Sequence, residues 1–131
     1  MPDRGPLLIV DDDAAFRRIV ATWLRRRGFA VVEADSAESA AEALDAGAAP
    51  ALVLLDLNLP ASTGWELLRS ERFQRPDAPP VVIATATTVD HRRLAAFGVA
   101  GYLPKPFPLE TLLATIERVL ASSSATPEEA L

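Results

Sequence analysis

The sequence predicts an open, doubly wound α/β domain with five parallel strands in the order 2-1-3-4-5 and helices on both faces. Three observations lead there. Short apolar runs alternate strictly with helical patterns, giving five strand–helix pairs in 131 residues and implying right-handed crossovers. The third run, Ala51–Leu55, is apolar throughout, which suits a parallel strand covered on both faces. Five strands are too few to close an eight-stranded barrel, so the sheet stays open.

Leu7–Val10 reads as the first strand. Asp13 can cap the helix that follows, whose apolar residues Phe16, Ile19, Val20, Trp23 and Leu24 recur at helical spacing. Arg25–Arg27 put favourable charge at its C-terminus, and Gly28 stops it. Phe29–Glu33 is the second strand, and Asp35 or Ser36 starts an alanine-rich helix ending near Ala46 and Gly47. After the third strand, Pro60–Gly64 is a loop, and Thr63 caps a third helix over Trp65–Glu71. Pro76–Pro80 is a turn, Val81–Thr85 the fourth strand, and Asp90–Phe97 a fourth helix ending at Gly98. Gly101–Leu103 is the fifth strand, followed by Pro104, which is tolerated because the expected order makes this strand an edge. Pro108 takes the first position of a fifth helix running to about Leu120, with Leu109, Leu112, Leu113, Ile116, Val119 and Leu120 as its apolar positions. Residues 1–5 form a lead, and 122–131 read as a disordered tail or the start of a linker. No internal repeat is visible.

Half of the residues are apolar, enough for one domain with a real core. The net charge of −5 and the pI of about 4.8 argue against a nucleic-acid-binding surface. The absence of cysteine excludes disulfides and thiolate metal sites, and it suits a cytoplasmic protein. No apolar run approaches the length of a membrane span, and the first residues lack a signal-peptide pattern. The single histidine, His91, cannot build a histidine metal cluster and is expected to be a solvated helix residue.

In such sheets ligands bind at the carboxyl ends of the strands where the strand order reverses, here between strands one and three. That places Asp11 and Asp12 beside Asp56. Neighbouring strands lie about 4.8 Å apart, so these acids can share one ion. Three crowded carboxylates repel, and without a cation at least one should have a raised pKa. An oxygen-only site of this kind suits Mg²⁺, which keeps waters and bridges to phosphate. Lys105 follows strand five, about two strand spacings from Asp56 and within reach of a lysine stem. Thr85 ends strand four between them and offers a hydroxyl. Acids, a metal, a fixed cation and a hydroxyl are what chemistry on a phosphoryl group needs.

Each residue also has a plainer use. Asp11 or Asp13 can be a helix cap, Asp56 a turn residue, Thr85 a strand residue and Tyr102 packing at a sheet edge. Lys105 can be a solvated charge. Trp23 and Trp65 read as packing or partly exposed helix residues. Arg25–Arg27 and the Arg92–Arg93 pair read as solvated faces that can also meet an acidic partner.

Four segments in order carry a resemblance. They are Leu-Leu-Ile-Val-Asp-Asp-Asp (7–13), Leu-Leu-Asp-Leu-Asn-Leu-Pro (54–60) with Gly64 beyond it, Val-Ile-Ala-Thr-Ala (82–86), and Gly-Tyr-Leu-Pro-Lys-Pro-Phe (101–107). Together the segments resemble the receiver domain of bacterial response regulators, over residues 6–121, with its flavodoxin-like fold. The resemblance implies that Asp56 is the phospho-acceptor, attacking the phosphohistidine of a sensor histidine kinase or histidine phosphotransfer protein. It implies that Asp11 and Asp12 bind Mg²⁺ or Mn²⁺ together with Asp56 and the backbone carbonyl of Asn58, Asp12 being the more direct ligand of the pair. Lys105 would pair with the phosphoryl oxygens, and the small Ala86 would leave room for them. Thr85 would be the switch hydroxyl, and Tyr102 the aromatic that turns inward with it. The Lys105–Pro106 bond would be cis. The side chains of Asn58 and Thr87 would tune dephosphorylation. The face built from the fourth helix, fifth strand and fifth helix would read the signal out to a target protein or a second copy. The Thr85–Lys105 stretch is slightly shorter than in many receivers, which falls on that output face. No membrane or nucleic-acid contact is expected of this chain.

Three functions compete on these residues. The leading one is a phosphorylation-switched signalling module. A binding module of the same shape that is never phosphorylated is disfavoured by the intact set of Asp11, Asp12, Asp56, Thr85 and Lys105. An enzyme turning over an aspartyl-phosphate usually needs a second acid two residues past the nucleophile, where this chain has Asn58.

Overall fold

The computed structural model describes residues 5–61 and 63–123. Its elements alternate as β1 (Leu7–Val10), α1 (Ala14–Arg25), β2 (Val31–Ala34), α2 (Ala37–Asp45), β3 (Leu52–Leu55), α3 (Gly64–Arg69), α4 (Glu71–Gln74), β4 (Val81–Thr85), α5 (His91–Ala96), β5 (Gly101–Pro104) and α6 (Leu109–Ser123). The five strands form one sheet in the order β2-β1-β3-β4-β5, every pair parallel. The expected α/β architecture and strand order are therefore found.

Strand side chains alternate between two cores, because successive residues of a strand point to opposite faces. Leu7, Ile9, Leu52, Leu54, Val82 and Ala84 pack on one side against α1 and α6. Leu8, Val10, Val53, Leu55, Val81 and Ile83 pack on the other against α2, α3 and α5. Covering both faces explains why β1, β3 and β4 are buried along their whole length.

Local chemistry fixes the helix starts. The side chains of Asp13, Ser36, Thr63 and Asp90 each accept a backbone N–H at the start of α1, α2, α3 and α5. At α2 the hydroxyl of Ser39 accepts the Ser36 N–H in return. Gly28 ends α1 with φ of +93°, a conformation that glycine adopts without strain.

Several sequence expectations need correction. Ile19 does not join the core but is 60% exposed. The buried stripe of α1 runs through Val20, Ala21 and Leu24, and Ile19 lies about 100° around the helix from Val20. The third helix is not continuous to Glu71. It stops at Arg69, Ser70 adopts an extended conformation, and the short α4 follows. There the Ser70 hydroxyl donates to the Leu67 carbonyl at 2.7 Å, a local bond that competes with helix continuation. Pro108 precedes α6 instead of opening it, and its carbonyl accepts the N–H of Leu112 at 3.2 Å. Pro104 is the last residue of β5, paired with Thr85 on the sheet edge. The second strand begins at Val31, later than Phe29. The lead over residues 1–4 and the tail from 124 onward lie outside the described residues. Among the described residues no helix is long and apolar enough to cross a membrane.

Candidate functional site

The site lies at the carboxyl edge of the sheet, where β1 and β3 are neighbours and the chain order reverses. Val10 and Leu55 are register partners, so the acids that follow each strand leave side by side. The Asp56 N–H donates to the Val10 carbonyl at 3.0 Å, extending the ladder into the site. One carboxylate oxygen from each of Asp11, Asp12 and Asp56 lies within 4.8 Å of the others. Asp11 and Asp56 are buried, and Asp12 is exposed. Three hard oxygen donors in this arrangement fit a divalent cation such as Mg²⁺.

Lys105 reaches this cluster from beyond β5. Its ammonium donates to Asp11 Oδ2 at 2.7 Å and to Asp56 Oδ2 at 3.3 Å. The Lys105–Pro106 peptide bond is cis. The other oxygen of Asp11 accepts the Asp13 N–H at 2.9 Å, so both its oxygens are engaged. Burial pushes the Asp11 carboxyl above its ordinary value, against the pull of the Lys105 hydrogen bond; the Asp56 charge adds least. The expected raised pKa in the cluster is thus present at Asp11, but burial causes it more than carboxylate repulsion does. For Lys105 burial works downward, but the hydrogen bond and charge of Asp11, then Asp56, hold the ammonium above its ordinary value. Asp11 shifts upward because it loses more solvation than the single lysine restores, and Lys105 because its two carboxylates outweigh its own burial.

Gly64 explains how Asp56 is held. A Cβ on Gly64 would lie 2.6 Å from the Asp56 carbonyl oxygen and 2.9 Å from the Leu57 Cα. The Gly64 N–H also donates to the Leu57 carbonyl at 3.2 Å. Glycine at the start of α3 therefore lets that helix sit directly on the backbone of the acid.

The β4 end completes the rim. Thr85 is fully buried, and its hydroxyl accepts from the Asn58 amide and the Thr87 N–H, both at 3.4 Å. Asn58 also donates to the Thr87 hydroxyl in a short contact, linking the loop after β3 to the loop after β4. Ala86 is exposed at the mouth. Tyr102 is half-buried on the edge strand, with its ring edge-on to His91 at 6.0 Å between centroids. His91 is exposed at the start of α5, but this ring contact makes it more than a purely solvated residue.

Sequence reasoning missed several supporting residues. Arg17 donates to the Asp11 carbonyl at 2.7 Å and to Glu33 at 3.1 Å, pinning the loop after β1. The ring of Phe16 lies under the Lys105 ammonium, 4.2 Å from centroid to Nζ. On the outer side Arg93 covers Trp65 at 3.9 Å, and Trp65 meets Phe97 at 5.2 Å. Phe16 reads as an apolar helix position and Trp65 as a packing or partly exposed helix residue; only their nearness in sequence to the acids and to Gly64 hinted at more.

Comparison with known proteins decides the family. The sequence model of the response regulator receiver domain matches residues 7–117. The chain belongs to that family. Receiver domains are modules of two-component signalling, and this chain is a receiver domain. Response regulator MprA of a Mycobacterium species is 37% identical over 132 aligned positions, covering 98% of this chain and 54% of that protein. Transcriptional regulatory protein ResD of Bacillus subtilis is 32% identical over 123 residues, covering 92% of this chain and 50% of that protein. The receiver thus spans about half the length of the curated relatives it matches. A CheY-like receiver domain protein from Methanospirillum hungatei superposes with a TM-score of 0.82 at 26% identity, over 92% of this chain and 96% of that one.

Proposed function

We propose that this receiver takes a phosphoryl group onto Asp56 from a phosphohistidine on a sensor histidine kinase or histidine phosphotransfer protein. One observation carries the reading. The buried Asp56 carboxylate stands between a lysine ammonium at 3.3 Å and two further acids within metal-sharing distance. An Asp56 oxygen attacks phosphorus, the P–N bond breaks, and the imidazole leaves with the bonding electron pair. Asp56 then carries an acyl phosphate. Asp11, Asp12, Asp56 and the Asn58 carbonyl would hold Mg²⁺, or Mn²⁺ in its place, and the bound ion would supply neutralisation of charge on the phosphoryl oxygens. Lys105 holds a phosphoryl oxygen from the other side, as a fixed cation does in phosphoryl transfer. Ala86 leaves the mouth open.

The added charge gives Thr85 and Lys105 a partner that the free domain lacks. Thr85 moves to the phosphoryl group, Tyr102 turns inward behind it, and the α5–β5–α6 face changes its population of two states. A target protein or a second copy reads that face, with no nucleic acid or membrane contacted by this chain. Work alongside such kinases places the domain in the cytoplasm. Asn58 supports a switch over a turnover enzyme, since an amide cannot serve as general acid or base.

Intact mass after incubation with Mg²⁺ and acetyl phosphate tests this reading. The wild type should gain one phosphoryl group, only with Mg²⁺, and Asp56→Asn should gain none. A wild type that stays unmodified, with kinase donors and rapid quenching included, would sink the reading in favour of a phosphorylation-independent binding module.

A further inference from the structure

Of the thirteen lysine and arginine residues in this chain, Lys105 is the one lysine. Among the described residues three groups lie against its ammonium. Two are carboxylates, Asp11 at 2.7 Å and Asp56 at 3.3 Å. The third is the ring face of Phe16, 4.2 Å away at its centroid. Phe107, two residues beyond Lys105, meets Phe16 edge-to-face at 6.0 Å and 90°. The two rings tie the loop that carries the lysine to the first turn of α1, beside the acids.

We propose that Phe16 is a positioning residue for Lys105, its ring face keeping the ammonium at the acceptor site when the carboxylates are engaged elsewhere. This rests on the phospho-acceptor reading above. The metal and the lysine compete for Asp11. Asp11 is both the nearest partner of Lys105 and a candidate metal ligand. An oxygen that turns to a divalent cation releases the ammonium it held. Lys105 then loses its shortest contact at the stage when the phosphoryl oxygens need it. An aromatic face attracts a cation through its quadrupole, yet it enters no metal shell and binds no phosphoryl oxygen. It is the one neighbour of the three that persists through loading and transfer. The lysine side chain is only 18% exposed, a desolvated setting in which such a contact is strong. If Phe16 merely filled space, any apolar residue of similar volume would serve. As a cradle, it is replaceable only by another aromatic residue.

Because the chain has one lysine, selective ¹³C-lysine labelling gives one ε-methylene signal. In the wild type that signal should be shifted upfield by the ring current of Phe16. Phe16→Leu should lose the shift, and Phe16→Tyr should keep it. With Mg²⁺ and acetyl phosphate, Phe16→Leu should be phosphorylated roughly three- to thirtyfold more slowly, the range set by a cation–π contact. Phe16→Tyr should restore the rate, and Mg²⁺ affinity should be the same in all three proteins. An unshifted wild-type signal overturns the proposal. So does a Phe16→Leu protein that reacts at the wild-type rate, or one slowed only as far as weaker Mg²⁺ binding accounts for. A wild type that takes no phosphoryl group overturns the phospho-acceptor reading itself, an outcome distinct from a reactive wild type whose rate ignores Phe16.

Discussion

At the carboxyl end of the sheet Asp11, Asp56 and Thr85 are the buried polar residues among those described, and three acids crowd one lysine. At the amino end Arg72 on α4 grips Asp45 at the end of α2 through two bonds of 2.9 and 2.7 Å, in an open cleft edged by Pro50 and Pro79. The pKa shifts run in opposite directions. Burial pushes Asp11 above its ordinary value, while the Arg72 hydrogen bond holds Asp45 below its own. One end buries charge without enough partners, and the other leaves charge paired in water. Buried, under-compensated carboxylates oppose folding but bind a cation or a phosphoryl group well. The paired, solvated end does little for either. The sheet between them, buried on both faces, holds the unfavourable end in place.

One added methyl group at each end separates the two roles with the largest expected effect. Gly64→Ala drives a Cβ to 2.6 Å from the Asp56 carbonyl, where backbone has to move. The expected cost is about 1–3 kcal/mol of stability, the usual range for overpacking. Phosphorylation by acetyl phosphate should fall on the order of a hundredfold, because small displacements of a reacting group are that expensive. Gly28→Ala at the amino end meets no atom within 4 Å but must adopt φ of +93°. Urea unfolding should show a loss of about 1 kcal/mol from that strain, and phosphorylation should be unchanged. Equal slowing by both substitutions would mean that the two ends are not separable.

Charge removal gives a smaller effect. Asp56→Asn takes one negative charge out of the cluster and leaves Lys105 its 2.7 Å bond to Asp11. In metal-free buffer this variant should be at least as stable as wild type, because two buried acids no longer share one ammonium. Mg²⁺ should raise the wild-type Tm more than that of Asp56→Asn. The pH trend follows from Asp11. Its folded pKa is raised, so the folded state binds the proton more tightly. Its contribution to stability is therefore largest below 3.8 and falls as pH rises through the folded value. Mg²⁺ needs the ionised form, so the Mg²⁺-induced rise in Tm should shrink as pH is lowered through the same window. A Mg²⁺ effect that is flat in pH would remove Asp11 from the site. A less stable Asp56→Asn would mean that the Asp56–Lys105 contact outweighs the crowding.

The carboxyl end was more legible in the sequence than the amino end. Apolar runs followed at once by acids, as at Val10–Asp11 and Leu55–Asp56, state both the strand and its functional edge. Strand order then followed from alternation and from chain length, and the structure bears it out. What stayed hidden depends on contacts between residues distant in sequence. The Phe16–Lys105 contact spans α1 and the loop after β5, and the Asn58–Thr87 contact joins two loops. Neither leaves a periodic signal. Ile19 was misplaced because three- and four-residue spacings describe a face wider than the one α1 buries. The break at Ser70 goes with a local side-chain hydrogen bond to Leu67 that competes with the helix and that no composition rule ranks above helix propensity.

The smallest effect is expected from the pair that looks strongest on paper. Arg72→Ala removes a bidentate contact with good geometry, yet the Asp45 side chain is 62% exposed and Arg72 35%. Water solvates both groups once they separate, and ordering two long side chains offsets much of the attraction. Asp45 is held below its ordinary value, so the pair acts above 3.8 and its effect is lost as pH falls through the depressed value. The urea midpoint at neutral pH should therefore move only slightly. That movement should vanish in high salt, where exposed charges are screened. Phosphorylation and Mg²⁺ affinity should match wild type, because α4 and the end of α2 lie at the opposite end of the sheet from Asp56. A salt-independent loss of stability would show that Arg72 works by packing its stem in the cleft. A slowed phosphorylation would show that charge at the amino end is coupled to the acceptor site through the sheet.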